Sequence, residues 1–367
     1  MSIAPWIFLG TGRLFADSID LTVYFTRGSW IIDRLPMISE YPPIPTLLFG
    51  VDRLLISMFD ERVQGIFYIM LFSAEMILIL FLTYRTVIRL ISYNLFATII
   101  MLLPPVIYFT YSRLDILPTF LSLVAYFYVT REKWGWAGFW LGVATLTKWY
   151  PALLFPGYFV YGIYKGGKKI WLMLPAFLGA VILIMGLTYL QGGWVSVVSP
   201  YIFHLRRGME FIALPKLIYG QVVRFISVSS QAYYTIFFIL QICMPVILAI
   251  FGKIDSQEKL AYYSIVVISM FIIFARIWSP QWFLWLIPFM VLLVKNWRDV
   301  IEIAIFNGVV YLSFPVVFDI FGANSNQLVI VGLVYYGMLC MFIVRSLLML
   351  DISIFPTLIR HLHPTLR

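Results

Sequence analysis

Residues 65–84 read GIFYIMLFSAEMILILFLTY, a stretch in which Glu75 is the one charged residue. A helix of this length rises about 30 Å, the thickness of the hydrocarbon core of a bilayer. The whole 367-residue chain has the same character, with 62% hydrophobic and 12% charged residues. Because about a quarter of the residues of a soluble protein are charged, the sequence predicts a polytopic integral membrane protein.

Further apolar runs, long enough to span a bilayer or nearly so, flank this stretch. They lie at 94–110, 116–130, 136–164 as two short helices, 170–190, 232–252, 260–275, 282–294, 300–318 and 327–349. The run at 136–164 is divided because Pro151 has no amide hydrogen and ends or kinks a helix. We expect an all-α bundle of about ten to twelve transmembrane helices that forms a single domain, residues 1–367.

The formal net charge of +9 is concentrated in short loops between the apolar runs. If residues 65–84 are taken to enter from one side, alternate loops hold most of the basic residues, and the positive-inside rule makes these loops cytoplasmic. This distribution argues against a nucleic-acid partner. It places the loop 11–64, the turn 112–115, the segment 191–231 and the turn 276–281 together on the external side.

Two segments on the external side suit helices that lie in the interface plane. Residues 44–64 form an apolar helix interrupted by Asp52-Arg53, and residues 201–228 mix basic with apolar residues. Residues 2–15 are apolar but too short for a full crossing. Either this first segment lies partly in the interface, or residues that precede it are missing.

Asp17 and Asp20 are the first candidate site residues. In a helix their spacing places both carboxylates on one face, and such a carboxylate can act as general base toward a hydroxyl nucleophile. An equally open alternative is a solvated loop in which the acids pair with Arg13 or Arg27. The segment Glu40-Tyr41-Pro42-Pro43-Ile44-Pro45 predicts a rigid, extended entry into the next helix.

Two basic motifs suit an anionic lipid. Lys148 follows a helical stretch and precedes Pro151, and its ammonium would suit a phosphate or would bind helix-end carbonyls as a snorkelling lysine. The motif His204-Leu-Arg-Arg207-Gly-Met-Glu210 joins an imidazole to guanidinium groups. This combination suits phosphate or sugar hydroxyls, or the arginines anchor the segment to anionic headgroups.

Two polar turns complete the candidates. Arg113 and Asp115 lie in a short turn, where a local ion pair would explain them. The turn from Arg276 to Trp282, which contains Ser279-Pro-Gln281, lies between apolar runs, and Trp278, Trp282 and Trp285 could also form an aromatic belt at the interface. The sequence contains no glycine-rich phosphate loop, no Cys/His metal spacing and no Gly-x-Ser-x-Gly motif. These absences argue against an ATP-driven pump and a serine hydrolase.

With these motifs in hand, the chain resembles the GT-C superfamily of membrane glycosyltransferases over nearly its whole length. It most resembles the mannosyltransferases that use polyprenyl-phosphate-mannose. Asp20-Leu-Thr-Val-Tyr24 is similar to their Asp-Leu-x-Val-Tyr segment, and Tyr41-Pro-Pro43 to their Tyr-Pro-Pro. The other similar segments are Gly138 to Pro151 (Gly-x-x-x-Gly-x-x-x-x-x-Lys-x-x-Pro), His204-x-x-Arg207-Gly208 and Ser279-Pro-Gln-Trp282, which stands where the family has Ser-Pro-Gln-Tyr.

The resemblance implies a GT-C-like bundle and an inverting transfer of a hexose, mannose first, at the extracytoplasmic face. The donor would be a polyprenyl- or dolichyl-phosphate sugar, and the acceptor a lipid or glycan. Asp20 would be the catalytic base, with Asp17 as a helper. The expected substrate-binding residues are Tyr41, Asp115, Lys148, His204, Arg207, Glu210, Ser279 and Gln281.

No cofactor is expected. The scheme does not require a divalent metal, since one carboxylate and several cations suffice, although Asp17 leaves a paired-acid site open. Two other functions remain as alternatives, a flippase or transporter of lipid-linked sugars and a non-catalytic membrane subunit.

Overall fold

The computed structural model of the protein describes residues 19–92 and 94–352, and within these ranges its regular structure is entirely helical. Asp17, Arg13 and the apolar segment 2–15 lie outside them. The α-helices are α1 (Ile19–Arg27), α2 (Pro43–Ile56), α3 (Glu61–Ile91), α4 (Leu95–Met101), α5 (Pro104–Ser112), α6 (Ile116–Thr130), α7 (Trp134–Thr145), α8 (Phe155–Tyr164), α9 (Met173–Arg206), α10 (Leu214–Val222), α11 (Ser230–Phe251), α12 (Gln257–Phe274), α13 (Ile287–Val291), α14 (Trp297–Tyr311), α15 (Phe318–Phe321) and α16 (Asn326–Met349). Short 3-10 helices cover Gly28–Ile31, Tyr150–Leu154, Lys168–Leu172 and Pro280–Trp285, and a π-helical turn covers Leu312–Val317.

Six of the described helical segments are long and apolar enough to cross a membrane. They are Glu61–Ile91, Lys168–Arg206, Ser230–Phe251, Gln257–Phe274, Trp297–Phe321 and Asn326–Met349. The pair α4 and α5, bent by 52°, makes a seventh if it is counted as one span. These segments support the expected all-helical membrane protein.

The count of six or seven is lower than the ten to twelve spans expected from the apolar runs. Several runs fold instead as shorter helices, such as α6 with 15 residues, α7 with 12 and α8 with 10. Proline stands at the start of α5, Tyr150–Leu154 and Pro280–Trp285. Since proline breaks the intrahelical hydrogen-bond ladder, hydrophobicity alone overestimated the number of long helices.

Glycines allow α7 to approach α9 closely. A Cβ atom at Gly138 would overlap the backbone carbonyl of Met173, and one at Gly142 would lie 2.7 Å from the carbonyl of Phe177. The Gly-x-x-x-Gly spacing puts both glycines on one helix face. This contact fixes the end of α7, where Lys148 follows.

A strap formed by residues 35–42 is held along the last turns of α9. The helix is interrupted at Gly192 and Gly193, and Gly193 has a positive φ of 67°. Beside this break, the Gln191 amide donates to the carbonyl of Leu35 at 2.9 Å and its oxygen accepts from the Met37 amide at 3.0 Å. Farther along, the Ser39 amide donates to the hydroxyl of Ser199 at 3.3 Å. The strap is therefore in place to carry Glu40 and Tyr41 to the end of α9.

Loops with many basic residues meet at one end of the bundle. The ammonium of Lys259 lies 2.7 Å from Asp351, and that of Lys295 lies 2.8 Å from Glu258. The indole ring of Trp297 packs edge-on against Phe96 at 5.0 Å. Loops that the charge pattern grouped on one side are thus neighbours in the fold.

Candidate functional site

The candidate site is a cavity of about 970 Å³ whose wall is built from distant parts of the chain. It draws on α1, the strap, the turn after α5, the break after α7, the end of α9 and the segment 275–285. Eight of the ten residues singled out from the sequence line it: Asp20, Tyr41, Lys148, His204, Arg207, Glu210, Ser279 and Gln281. Asp115 lies behind the wall, and Asp17 is outside the described residues.

Asp20 is held in the first turn of α1 by two groups. Its carboxylate is ion-paired with Arg113 and accepts a hydrogen bond from the hydroxyl of Tyr24 at 3.3 Å. The Arg113 side chain is only 8% exposed, whereas that of Asp20 is 23% exposed. A neighbouring guanidinium favours the ionised carboxylate, so Asp20 presents an anionic oxygen to the cavity.

Arg113 and Asp115 do not form the expected local pair with each other. Arg113 reaches Asp20, and its guanidinium also lies 5.5 Å from the ring centre of Phe314. Asp115 faces the other way: one carboxylate oxygen lies 3.5 Å from the ammonium of Lys148 and accepts from the indole N–H of Trp285 at 3.0 Å. The turn therefore supports both the carboxylate and a cation of the cavity.

The indole that holds Asp115 belongs to a buried aromatic stack. Trp285 packs against Tyr150 at 4.2 Å and against Trp282 at 4.9 Å, both nearly parallel. Trp285 is 1% exposed and Trp282 5%, so these two residues do not form an aromatic belt at the bilayer surface. The stack holds the indole N–H of Trp285 in place. It therefore fixes the position of the Asp115 carboxylate and, through this carboxylate, the position of the Lys148 ammonium.

Tyr41, near the end of the strap, lies beside the broken end of α7. The amide of Ile44, between Pro43 and Pro45, donates to the carbonyl of Leu146 at 3.2 Å, one of the carbonyls without an intrahelical partner where α7 ends. The Tyr41 ring meets Tyr24 edge-on at 5.5 Å, and the Lys148 ammonium lies 6.0 Å from its centre. Burial, with the charge of Glu40 as a second cause, raises the pKa of Tyr41, so its hydroxyl stays protonated and able to donate.

His204 joins the end of α9 to the strap. Its Nε2 atom lies 3.1 Å from the carbonyl oxygen of Glu40, so the ring donates there when Nε2 carries the proton. The imidazole packs against Trp149 at 4.7 Å, and Trp149 stacks on Tyr201 at 5.4 Å. His204 therefore lines the cavity with one ring nitrogen already engaged by the protein backbone.

Arg207 and Glu210 form an ion pair on the same wall. The second carboxylate oxygen of Glu210 accepts from the amide of Trp278 at 2.9 Å, and the Glu210 amide donates to the carbonyl of Arg276 at 2.9 Å. Glu210 thus ties the chain after α9 to the turn that contains Ser279 and Gln281.

Arg276 closes the end of α9. Its Nη1 atom donates to the carbonyls of His204, Leu205 and Arg207 at 3.2, 3.3 and 2.7 Å. Its guanidinium stacks over the ring of Tyr234 at 3.7 Å. These carbonyls have no partner within the helix, and a cation here is favoured by the helix dipole.

Part of the cavity wall is apolar. Phe238 and Ile242 on α11 and Phe271 on α12 line it, together with Ala275 and Ile277. The same cavity thus presents ionised groups and hydrocarbon surface, as an amphipathic ligand requires.

Sequence reasoning overlooked several residues that hold the site together. The sequence patterns explain Arg113 only as a member of a local ion pair, and they give Arg276 no role beyond membership of a polar turn. Trp149 and Trp285 carried no signal that separates a site aromatic from a packing one. Among the described residues, no group of three or more His, Cys, Asp and Glu side chains could hold a metal ion.

No family model matches this chain, and no curated protein matches it.

Proposed function

We propose that the protein is an integral membrane glycosyltransferase. It transfers a hexose, mannose as the first candidate, from a polyprenyl- or dolichyl-phosphate to a lipid or glycan acceptor, with inversion at the anomeric carbon. Asp20 is the general base. The proposal rests on the geometry of the cavity and on the motif resemblance described above.

The observation that carries the proposal is that one cavity combines carboxylates, accessible cations and an apolar wall. Asp20 stands on one element, Lys148 and Arg207 on two others, and Phe238 and Ile242 supply hydrocarbon surface. A lipid-phosphate sugar needs each of these partners: cations for its phosphate, apolar surface for its chain and a base near its sugar.

The reaction needs one proton transfer and one displacement. Asp20 takes the proton of an acceptor hydroxyl, and the hydroxyl oxygen bonds to the anomeric carbon. The bond from that carbon to the phosphate oxygen breaks, and its electron pair stays on the phosphate. Lys148 and Arg207 stabilise the charge that develops there, and Asp20 ends the step protonated.

Neighbouring residues position these groups. Arg113 and Tyr24 orient the carboxylate of Asp20, and Asp115 with Trp285 orients the ammonium of Lys148. Because a misplacement of about 1 Å can cost a factor of about 100 in rate, these supports matter as much as the groups that meet the substrate.

The charge distribution supports an extracytoplasmic cavity. The loops rich in Lys and Arg gather at one end of the bundle, and the positive-inside rule makes that end cytoplasmic. The cavity is built from loops of the alternate set, so the donor would be used on the outer face of the membrane.

The experiment is transfer in reconstituted vesicles with radiolabelled polyprenyl-phosphate-mannose and a membrane lipid extract as acceptor. We expect a labelled glycolipid from the wild type, a loss of at least about a hundredfold with Asp20→Asn, and full activity with the control Asp33→Asn, whose side chain is exposed. Full transfer by folded Asp20→Asn would refute the base assignment. Movement of the donor across the membrane without a new glycosidic product would instead indicate a transporter.

A further inference from the structure

Glu210 occupies an unusual place for a residue of a phosphate-binding wall, because it adds negative charge beside a cation. Its carboxylate pairs with Arg207, yet it is anchored independently of that arginine by the amide of Trp278 and, through its own amide, by the carbonyl of Arg276. If Arg207 turns toward a ligand, Glu210 stays where it is.

Arg207 is the cation of the cavity that a ligand can capture most easily. Its side chain is 38% exposed, against 21% for Lys148 and 8% for Arg113. The pair with Glu210 joins two partly exposed side chains, and such pairs contribute about 0–1 kcal/mol. A phosphate, which can accept two parallel hydrogen bonds from a guanidinium, therefore competes well for Arg207.

The charge of the phosphate changes during the proposed reaction. The lipid-phosphate sugar is a phosphodiester with one negative charge. The lipid phosphate that leaves is a monoester, with about −1.5 to −2 at pH 7. A fixed carboxylate beside this phosphate repels the product more than the substrate, since the repulsion grows with the ligand's charge.

We propose that Glu210 promotes product release by discriminating between the two phosphates. This inference rests on the proposed function. When the donor binds, Arg207 leaves its ion pair with Glu210 and contacts the phosphodiester. Glu210, held in place by the amide of Trp278, then weakens the binding of the phosphate monoester that remains after transfer. It opposes the product inhibition that a purely cationic wall would cause.

The test compares a polyprenyl phosphate with its methyl phosphodiester, two lipids that differ by one methyl group on the phosphate and therefore in charge. Their affinities for the purified full-length protein are measured by tryptophan fluorescence. Glu210→Gln keeps an oxygen that can accept from the Trp278 amide but removes the charge. We expect it to bind the monoester about tenfold more tightly and the diester, which carries about half to two thirds of that charge, only about three- to fivefold more tightly. The control Glu302→Gln removes a carboxylate that pairs with arginine away from the cavity and should change neither affinity.

The wild type provides a second measurement that does not depend on a variant folding. It should bind the monoester no more tightly than the diester, despite the cations Arg113, Lys148, Arg207 and Arg276 in the wall. A monoester preference of about tenfold or more in the wild type, or an equal change of both affinities in Glu210→Gln, would overturn the role of Glu210. Failure of the wild type to bind either lipid would instead contradict the proposed function itself.

Discussion

The ammonium of Lys148 lies 3.5 Å from the carboxylate of Asp115, a side chain that is 1% exposed. The same carboxylate oxygen accepts the indole N–H of Trp285. A cation at the cavity wall is thus attached to the buried interior through a single acid. Asp115 was expected to bind substrate, and its position behind the wall favours a supporting role instead.

Substitution of Asp115 should reduce the stability of the protein, and the loss should be larger for alanine than for asparagine. In Asp115→Ala, Lys148 loses its counter-charge and the buried indole N–H of Trp285 loses its acceptor, so we expect a loss of about 2–4 kcal/mol. Asp115→Asn keeps an acceptor oxygen and should lose less. Thermal unfolding in detergent measures both, and equal melting temperatures for Asp115→Ala and the wild type would contradict this account.

Arg113 should matter for rate more than for donor binding. Its guanidinium contacts the carboxylate of Asp20, so we expect Arg113→Met to lower kcat by about 10- to 100-fold with little change in the KM for the donor. Arg113→Lys, which keeps the charge, should recover part of the loss. The matched control is Arg298→Met, where the side chain is 86% exposed. A large rise in KM at unchanged kcat would show that Arg113 binds the donor instead.

The close contact between α7 and α9 predicts that alanine substitutions at two glycines of α7 differ in their effect on stability. Gly138→Ala would push a methyl group into the carbonyl of Met173, whereas Gly135→Ala meets nothing within 4 Å. We expect the first variant to lose about 1–3 kcal/mol of stability and the second to lose none. Thermal unfolding of the two proteins side by side tests this, and equal stability would mean that α7 can shift without cost.

The burial of Asp52 predicts that the stability of the protein depends on pH. It is fully buried in α2, and burial, followed by the nearby charge of Glu75, raises its pKa. A carboxyl with a raised pKa binds its proton more tightly in the folded state, so its stabilising effect is fully present below the unfolded-state pKa and is lost as the pH rises from there through the folded-state pKa. Asp52→Asn should therefore raise the melting temperature at pH 9 and change it little at about pH 3.5, which is below the ordinary aspartate pKa of about 3.9.

The control for this effect is Asp33→Asn, which alters an exposed acid of the same outer loop. It should leave the melting temperature unchanged at both pH values. If Asp52→Asn lowered stability at pH 9, the carboxylate of Asp52 would have to be stabilised in the fold rather than disfavoured.

Sequence patterns predicted the class of the fold because each span must satisfy its backbone hydrogen bonds internally. The all-helical class is confirmed for the described residues, but the number of long helices is not, because prolines such as Pro104 begin short helices within apolar runs. The motifs identified eight residues that the structure brings around one cavity, since the ends of helices on one side of a bundle lie near one another. Their roles remain predictions.

The sequence by itself determined the membrane class, the charge asymmetry of the loops and most members of the candidate site, because hydrophobicity, charge and motif spacing are local properties. Tertiary structure decided which charged and polar groups of the site contact one another. Nothing in the spacing of Arg113 and Asp115 tells that one holds Asp20 and the other Lys148, or that Glu210 is anchored to Trp278. Such partners are far apart in the chain, and only the packing of helices determines which charges meet.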